Sequence, residues 1–333
     1  MKAAYYETTG TPDVIQYGDV RTPEPKAGEV RVKVTAASVN PVDCYIRAGL
    51  VAMPLPKPFV PGCDVAGVVD KVGDGVIRFK VGDRVWGSNQ GLLGRQGSFA
   101  EYVVSSEDWL YPTPANVKDE DAAAAALVGI TAWLGLVWRA NVQAGELVVV
   151  SGGTGGVGAM VVQMAKANGA TVYSIIGSKS GYALALGSDT LIDYRNDIKA
   201  QFTASLNAGR PGSKGADIWY ETAPPTDLER TFECMAPGGR VVVMAGRGAK
   251  PVWPNGAFYT RNLQLFGFTM FSVSADIQRR AAEDINRWLS EGKLKATIGA
   301  TFPLKDAAAA HRLQEDNTIH KKGTLTGKIV VTI

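Results

Sequence analysis

Three glycines set three residues apart carry the clearest chemical signal in this chain: Gly152, Gly155 and Gly158, within Gly152-Gly153-Thr154-Gly155-Gly156-Val157-Gly158. Glycines at this spacing let a backbone approach a pyrophosphate, and the free N–H groups of a following helix favour its charge. A Gly-rich surface turn would have the same composition. The flanks separate the two readings. Leu147-Val148-Val149-Val150 is an apolar run of strand length, and Met160, Val161, Met164, Ala165 and Ala167 recur at helical spacing behind the turn. Strand, glycine turn and helix start form the context of a dinucleotide fingerprint, here G-x-x-G-x-x-G rather than G-x-G-x-x-G.

The next strand tells which dinucleotide is expected. An acid at its end would hold a ribose 2′-hydroxyl. This chain has Gly177-Ser178-Lys179-Ser180-Gly181, and its first acid is Asp189. Ser178 and Lys179 are placed to meet a 2′-phosphate, and Tyr194-Arg195 to close on it from the side, which favours NADPH. The plainer reading of Lys179 and Arg195 is as solvated surface charges. Other chemistry is poorly provided for. The two histidines, His311 and His320, lie in the tail, no His/Cys cluster has zinc spacing, and no G-x-S-x-G elbow occurs. What remains is hydride chemistry carried by a cofactor, with no metal.

The elements that position these residues change character along the chain. Up to about Ala115 it reads as short strands between Pro/Gly turns, among them Val30–Val34, Val65–Val69 and Phe99–Val104. This is the pattern of a compact, barrel-like β domain. Asp119-Glu120-Asp121 opens a helix expected to run to about Ala140. From Glu146 strands and helices alternate, ending with a strand at Leu263–Gly267, so the expected fold is α/β with a doubly wound parallel sheet. The tail leaves that rhythm with helices near Ala281–Leu289 and Ala307–Gln314 and a strand at Lys328–Ile333, which suits a return to the N-terminal β domain.

With 333 residues there is room for two cores. A net charge of only +3 argues against nucleic acid as the main partner. No run reads as transmembrane length, the N-terminus lacks a signal-peptide core, and three scattered cysteines make no disulfide framework, so a cytoplasmic enzyme without a membrane partner is expected.

Several motifs together resemble one family. They are Asn40-Pro41-Val42-Asp43-Cys44-Tyr45-Ile46-Arg47-Ala48-Gly49, Pro61-Gly62-Cys63-Asp64-Val65-Ala66-Gly67, Val81-Gly82-Asp83-Arg84-Val85, Gly155-Gly156-Val157-Gly158, Gly239-Arg240-Val241-Val242-Val243 and Thr326-Gly327-Lys328. The chain resembles the zinc-independent, zeta-crystallin-like quinone oxidoreductases of the medium-chain dehydrogenase/reductase superfamily. The resemblance implies a GroES-like β-barrel domain from 1–123 and 269–333, a Rossmann domain from 124–268, and an active site in the cleft. Gly62-Cys63-Asp64 stands where zinc-bearing relatives have Gly-His-Glu. Asn40, Tyr45 and Thr131 match positions beside the nicotinamide and are the implied catalytic residues. For Tyr45 the choice is between bonding a quinone oxygen and packing a ring edge. For Thr131 the alternative is a helix hydroxyl bonding its own backbone. The implied cofactor contacts are Asn40, Thr131, Gly152, Thr154, Gly155, Gly156, Val157, Gly158, Gly177, Ser178, Lys179, Tyr194, Arg195, Ala245, Gly246, Arg247, Phe268, Met270 and Lys328.

Three departures from the family stand out. Val51 occupies a position where many members carry a second tyrosine, the Gly177–Gly187 segment is about two residues shorter than usual, and Thr154 is bulkier than its counterparts. The resemblance implies NADPH-dependent reduction of a flat apolar quinone. A second reading keeps the cofactor and takes an activated alkene: an alkenal, enone or enoyl thioester. A third is a non-catalytic NADPH-binding structural or RNA-associated protein. The resemblance also implies a homodimer paired through the last Rossmann strand, here Leu263–Gly267.

Overall fold

The computed structural model describes all 333 residues. They form two compact units, Met1–Leu127 with Ser274–Ile333, and Val128–Val273.

The first unit is built on a seven-stranded sheet. Its long strand β3 (Glu29–Val39) pairs antiparallel with β4 (Asp64–Val72), β6 (Tyr102–Ser106) and the C-terminal β15 (Lys328–Thr332). β5 (Arg84–Gly87) and β7 (Leu110–Pro112) extend the sheet beyond β4, and β14 (Ile298–Pro303) lies parallel beside β15. A separate hairpin joins β1 (Lys2–Tyr5) and β2 (Gln16–Asp19). The C-terminal strand pairs within this sheet, Ile329 standing opposite Val39. The alternation of β3 places Val30, Val32 and Val34 in a core with Val65, Val85 and Val103. The strand expected from Phe99 starts only at Tyr102. Phe99 and Ala100 bond instead toward β1, through Ala4 N–H to the Phe99 carbonyl and an Ala3–Ala100 bridge. Helices α1 (Pro41–Arg47), α8 (Ala275–Ser290) and α9 (Ala307–Thr318) complete this unit.

The seam between the units falls inside α2 (Asp119–Trp133), whose first turn carries the three acids. The helix continues as a π-helical segment over Leu134–Arg139. Here one expectation needs correcting: 119–139 is long and apolar enough to cross a membrane. However, 78% of its apolar window is buried inside the protein, as in a core helix.

The second unit has a six-stranded, wholly parallel sheet of β8 (Leu147–Ser151), β9 (Thr171–Ile176), β10 (Thr190–Asp193), β11 (Ala216–Glu221), β12 (Met235–Val243) and β13 (Gln264–Phe266). The spatial order is β10-β9-β8-β11-β12-β13, reversing between β8 and β11. The crossovers are α3 (Gly156–Ala167), α4 (Ser180–Ala185), α5 (Ile198–Gly209), α6 (Leu228–Cys234) and α7 (Asn255–Thr260). β8 reads as an unbroken apolar run because all five of its residues are buried, as a central parallel strand covered on both faces requires.

Candidate functional site

Ligands of an open parallel sheet bind beyond the carboxyl ends of its strands, where the strand order reverses. The glycine turn follows β8 at that point. Gly152 takes φ +76°, and a Cβ there would stand 2.7 Å from Thr222 Oγ1. On Gly158 a Cβ would lie 2.1 Å from the Gly152 carbonyl oxygen, so α3 and the turn meet backbone to backbone. Gly155 and Gly156 are exposed instead, and Gly155 caps α3. The first N–H groups of α3 therefore open outward from a face without side chains, which fits a pyrophosphate. Thr154 and Val157 flank that face, half-buried.

The strand ends beside it bring together most of the other expected cofactor contacts. Gly177, Ser178 and Lys179 follow β9, and burial lowers the Lys179 pKa. Tyr194 and Arg195 follow β10, and a Cβ on Gly177 would stand 2.8 Å from the Tyr194 ring. Arg195 is not idle: Nε and Nη2 donate to the Asp193 carboxylate at 2.9 and 2.6 Å, and that bond holds Asp193 down to about 2. Ala245, Gly246 and Arg247 follow β12, with only Arg247 fully exposed among them. Phe268 and Met270 follow β13. Thr131 is buried, its hydroxyl 3.6 Å from Met270 Sδ, and its carbonyl accepts the Tyr220 hydroxyl at 2.9 Å.

In the first unit a buried polar network surrounds Asn40. The Asn40 N–H donates to Asp43 Oδ2 at 2.8 Å, and Pro41 opens α1. Its amide Nδ2 donates to Asp64 Oδ2 at 2.8 Å, and Oδ1 accepts from Lys328 Nζ, which also donates to the Val39 carbonyl at 2.8 Å. Ser38 Oγ and the Leu127 N–H complete the shell of Asp64 at 2.7 and 3.1 Å. Burial pushes Asp64 up and Lys328 down, each opposed by the other's charge. Burial also lifts Asp43, to about 7. Lys328, expected at the cofactor, thus spends its ammonium group on Asn40 and Val39. Tyr45 projects from α1 half-buried, its hydroxyl pKa raised by burial with no hydrogen bond contributing.

Sequence reasoning missed Ser38, Asp43 and Asp64 as the partners that fix Asn40. The Asn40-x-x-Asp43 spacing, that of a capping box, was the available signal for Asp43. Glu221 was missed as well: buried at the end of β11, it accepts the Ala223 N–H at 3.2 Å, while Thr222 Oγ1 bonds the Ser151 carbonyl at 2.6 Å behind the glycine turn. No three His, Cys, Asp or Glu side chains converge at metal-ligand spacing.

Comparison with known proteins fits this arrangement. Residues 26–115 match the alcohol dehydrogenase GroES-like domain, and residues 156–287 match the family described as zinc-binding dehydrogenase. The quinone oxidoreductase of Rattus norvegicus is 32% identical over 336 residues, covering 100% of this chain and 98% of that one. The 2-methylene-furan-3-one reductase of Solanum lycopersicum is also 32% identical, over 99% of this chain and 79% of that one. The crystal structure of Escherichia coli quinone oxidoreductase complexed with NADPH covers both chains fully, with a TM-score of 0.84 and 25% identity. The first unit carries the GroES-like fold, the second the Rossmann fold, and the chain is an oxidoreductase belonging to the quinone oxidoreductases of the medium-chain dehydrogenase/reductase superfamily.

Proposed function

We propose that the chain is an NADPH-dependent, zinc-independent reductase of flat apolar quinones. The observation that carries this is the exposed Gly155-Gly156 face at the start of α3, set at the reversal of a parallel sheet whose second strand ends without an acid. NADPH, when bound, supplies the hydride. The glycine turn would hold its pyrophosphate, Ser178, Lys179, Tyr194 and Arg195 its 2′-phosphate, and the segments after β12 and β13 its nicotinamide end with Thr131. Asn40, its side chain committed to Asp64 and Lys328, would fix α1 and with it Tyr45. The Tyr45 hydroxyl would donate to an acceptor oxygen as negative charge grows there. Zinc independence is supported by the donor set: Cys63 is buried against Asp43, and Asp64 is bonded to Ser38 and Asn40.

An alkene acceptor is the second reading, favoured by the likeness to a relative named as a reductase of 2-methylene-furan-3-one. The reaction would use the same donor and the same tyrosine. Cytoplasmic location is supported by three cysteines that are all free and buried. A homodimer is supported by β13, an edge strand with Gln264 and Leu265 exposed. The test is NADPH oxidation by the purified protein against an ortho-quinone, a para-quinone, a 2-alkenal and an enoyl thioester, with NADH as control. Turnover confined to quinones with NADPH preferred is expected. Turnover confined to the alkenes would move the assignment to the second reading, and NADPH binding without turnover on any of the four would overturn both.

A further inference from the structure

Arg47, the last residue of α1, is the largest charged side chain wholly inside the protein. Its guanidinium makes one ion pair, from Nη2 to Glu315 Oε2 of α9 at 2.8 Å. Nε and Nη1 are buried with no partner. A buried pair with donors left over contributes little or nothing to stability, and apolar side chains of similar volume often serve a fold better. What such a pair supplies is a fixed geometry, since a buried charge tolerates few positions away from its partner.

That geometry bears on Tyr45. With seven residues, α1 is too short to hold its own shape. Its start is tied down by the network around Asn40. Its last turn is tied to α9 along one face. Cys44 Sγ lies 3.7 Å from His311 Nδ1 and 3.6 Å from the His311 carbonyl oxygen, and Arg47, three residues on, reaches Glu315, four residues on. Residues three apart on a helix share a face, whereas Tyr45 stands about 100° around from Cys44. Cys44, Ile46 and Arg47 are accordingly buried, and Tyr45 is half-buried. The Tyr45 carbonyl oxygen also accepts the Leu50 and Val51 N–H groups at 2.9 and 3.3 Å, so the same turn sets the start of the apolar loop that follows.

We propose that Arg47 and Glu315 are positioning residues for the reduction. Their ion pair sets the rotation of α1 about its axis, and with it the direction in which the Tyr45 hydroxyl meets the acceptor oxygen. This rests on the role given to Tyr45 above, and the pair acts only through that tyrosine.

The full chain carrying Arg47→Met with Glu315→Leu tests this, alone and combined with Tyr45→Phe. The pair variant should melt at or above the wild-type temperature and exchange its α1 amide hydrogens about tenfold faster. Its kcat should fall about tenfold with KM for NADPH unchanged, as for a misplaced catalytic group. On the Tyr45→Phe background the same two substitutions should lower kcat no further, because the group they orient is gone. Glu315→Gln is the milder variant, keeping an acceptor for Nη2, with a severalfold loss of kcat expected. It decides by the same cycle if the pair variant does not fold. Wild-type kcat in the substituted chain, wild-type exchange of its α1 amides, or a loss that multiplies with that of Tyr45→Phe would each overturn the proposal. Wild-type kcat in Tyr45→Phe alone would instead overturn the role of the tyrosine, and the positioning with it.

Discussion

The Lys328 ammonium group donates to the side-chain oxygen of Asn40 across 288 residues of chain, tying the last strand to the start of α1. Asn40 also serves Asp64, so Asn40→Ala leaves two buried charged groups short of a partner. A loss of about 2–3 kcal/mol is expected, read as a lower urea midpoint. Tyr45→Phe should behave in the opposite way. Its hydroxyl contributes no hydrogen bond to the fold, so stability should hold while turnover drops about tenfold or more, as when an oxyanion donor is removed. Unchanged turnover in Tyr45→Phe would take this tyrosine out of the mechanism.

The glycine turn divides into packed and open positions, and substitution should separate them. Gly158→Ala forces a methyl against the Gly152 carbonyl oxygen and should cost about 1–3 kcal/mol by pushing α3 off β8. Gly155→Ala meets only that same oxygen, at 3.3 Å, with φ −79°. Its stability should stay within about 0.5 kcal/mol of wild type. Its KM for NADPH should nevertheless rise about tenfold, because on the proposed function the methyl would stand where the pyrophosphate meets the N–H groups. Fluorescence titration with NADPH checks this, and wild-type affinity in Gly155→Ala would place the nucleotide elsewhere.

Acid should destabilise the first unit through His311. The ring is buried beside Cys44 Sγ at 3.7 Å and edge-on to Phe99, and burial, then the Arg47 charge, lowers its pKa from 6.5 to about 3. The folded state holds this ring neutral where the unfolded chain would protonate it. The stability it protects is therefore complete above pH 6.5 and lost as pH falls toward 3. Arg47 itself is paired with Glu315 at 2.8 Å. Asp43 acts in the opposite sense: its pKa is raised from 3.8 to about 7, so its contribution is lost as pH rises through that window. Urea unfolding across this range should show a flatter acid limb in His311→Phe and a steeper one in Asp43→Asn. Parallel profiles for wild type and His311→Phe would refute the assignment.

The parallel sheet was legible because burial on both faces writes an uninterrupted apolar run, as in Leu147–Val150, and glycine follows where the backbone must come close. The short strands β5 and β7 and the β1–β2 hairpin left too little periodicity to read. The π-helical segment at Leu134–Arg139 was invisible for another reason, since its residues are apolar whichever helix they form. The site was legible where its residues are neighbours in sequence, as in the turn. It was hidden where they are not: Asp64 reaches Asn40 from 24 positions away and Lys328 from 288, so spacing carried no signal.

Asp193 is the last residue on which cofactor choice is expected to turn. Both nitrogen contacts of Arg195 go to this carboxylate, beside the segment where a 2′-phosphate is expected. A bound phosphate would have to draw the guanidinium away and tolerate the acid. Asp193→Asn weakens the competitor and keeps the strand, because the bond from Gln201 Nε2 goes to the Asp193 main-chain carbonyl. The ratio of kcat/KM for NADPH over NADH should rise about two- to fivefold, the scale of an exposed ion pair, and the gain should shrink at high salt. Arg195→Gln should lower the same ratio. A ratio unmoved by both substitutions would make Arg195 a solvated surface charge and leave 2′-phosphate recognition to Ser178 and Lys179.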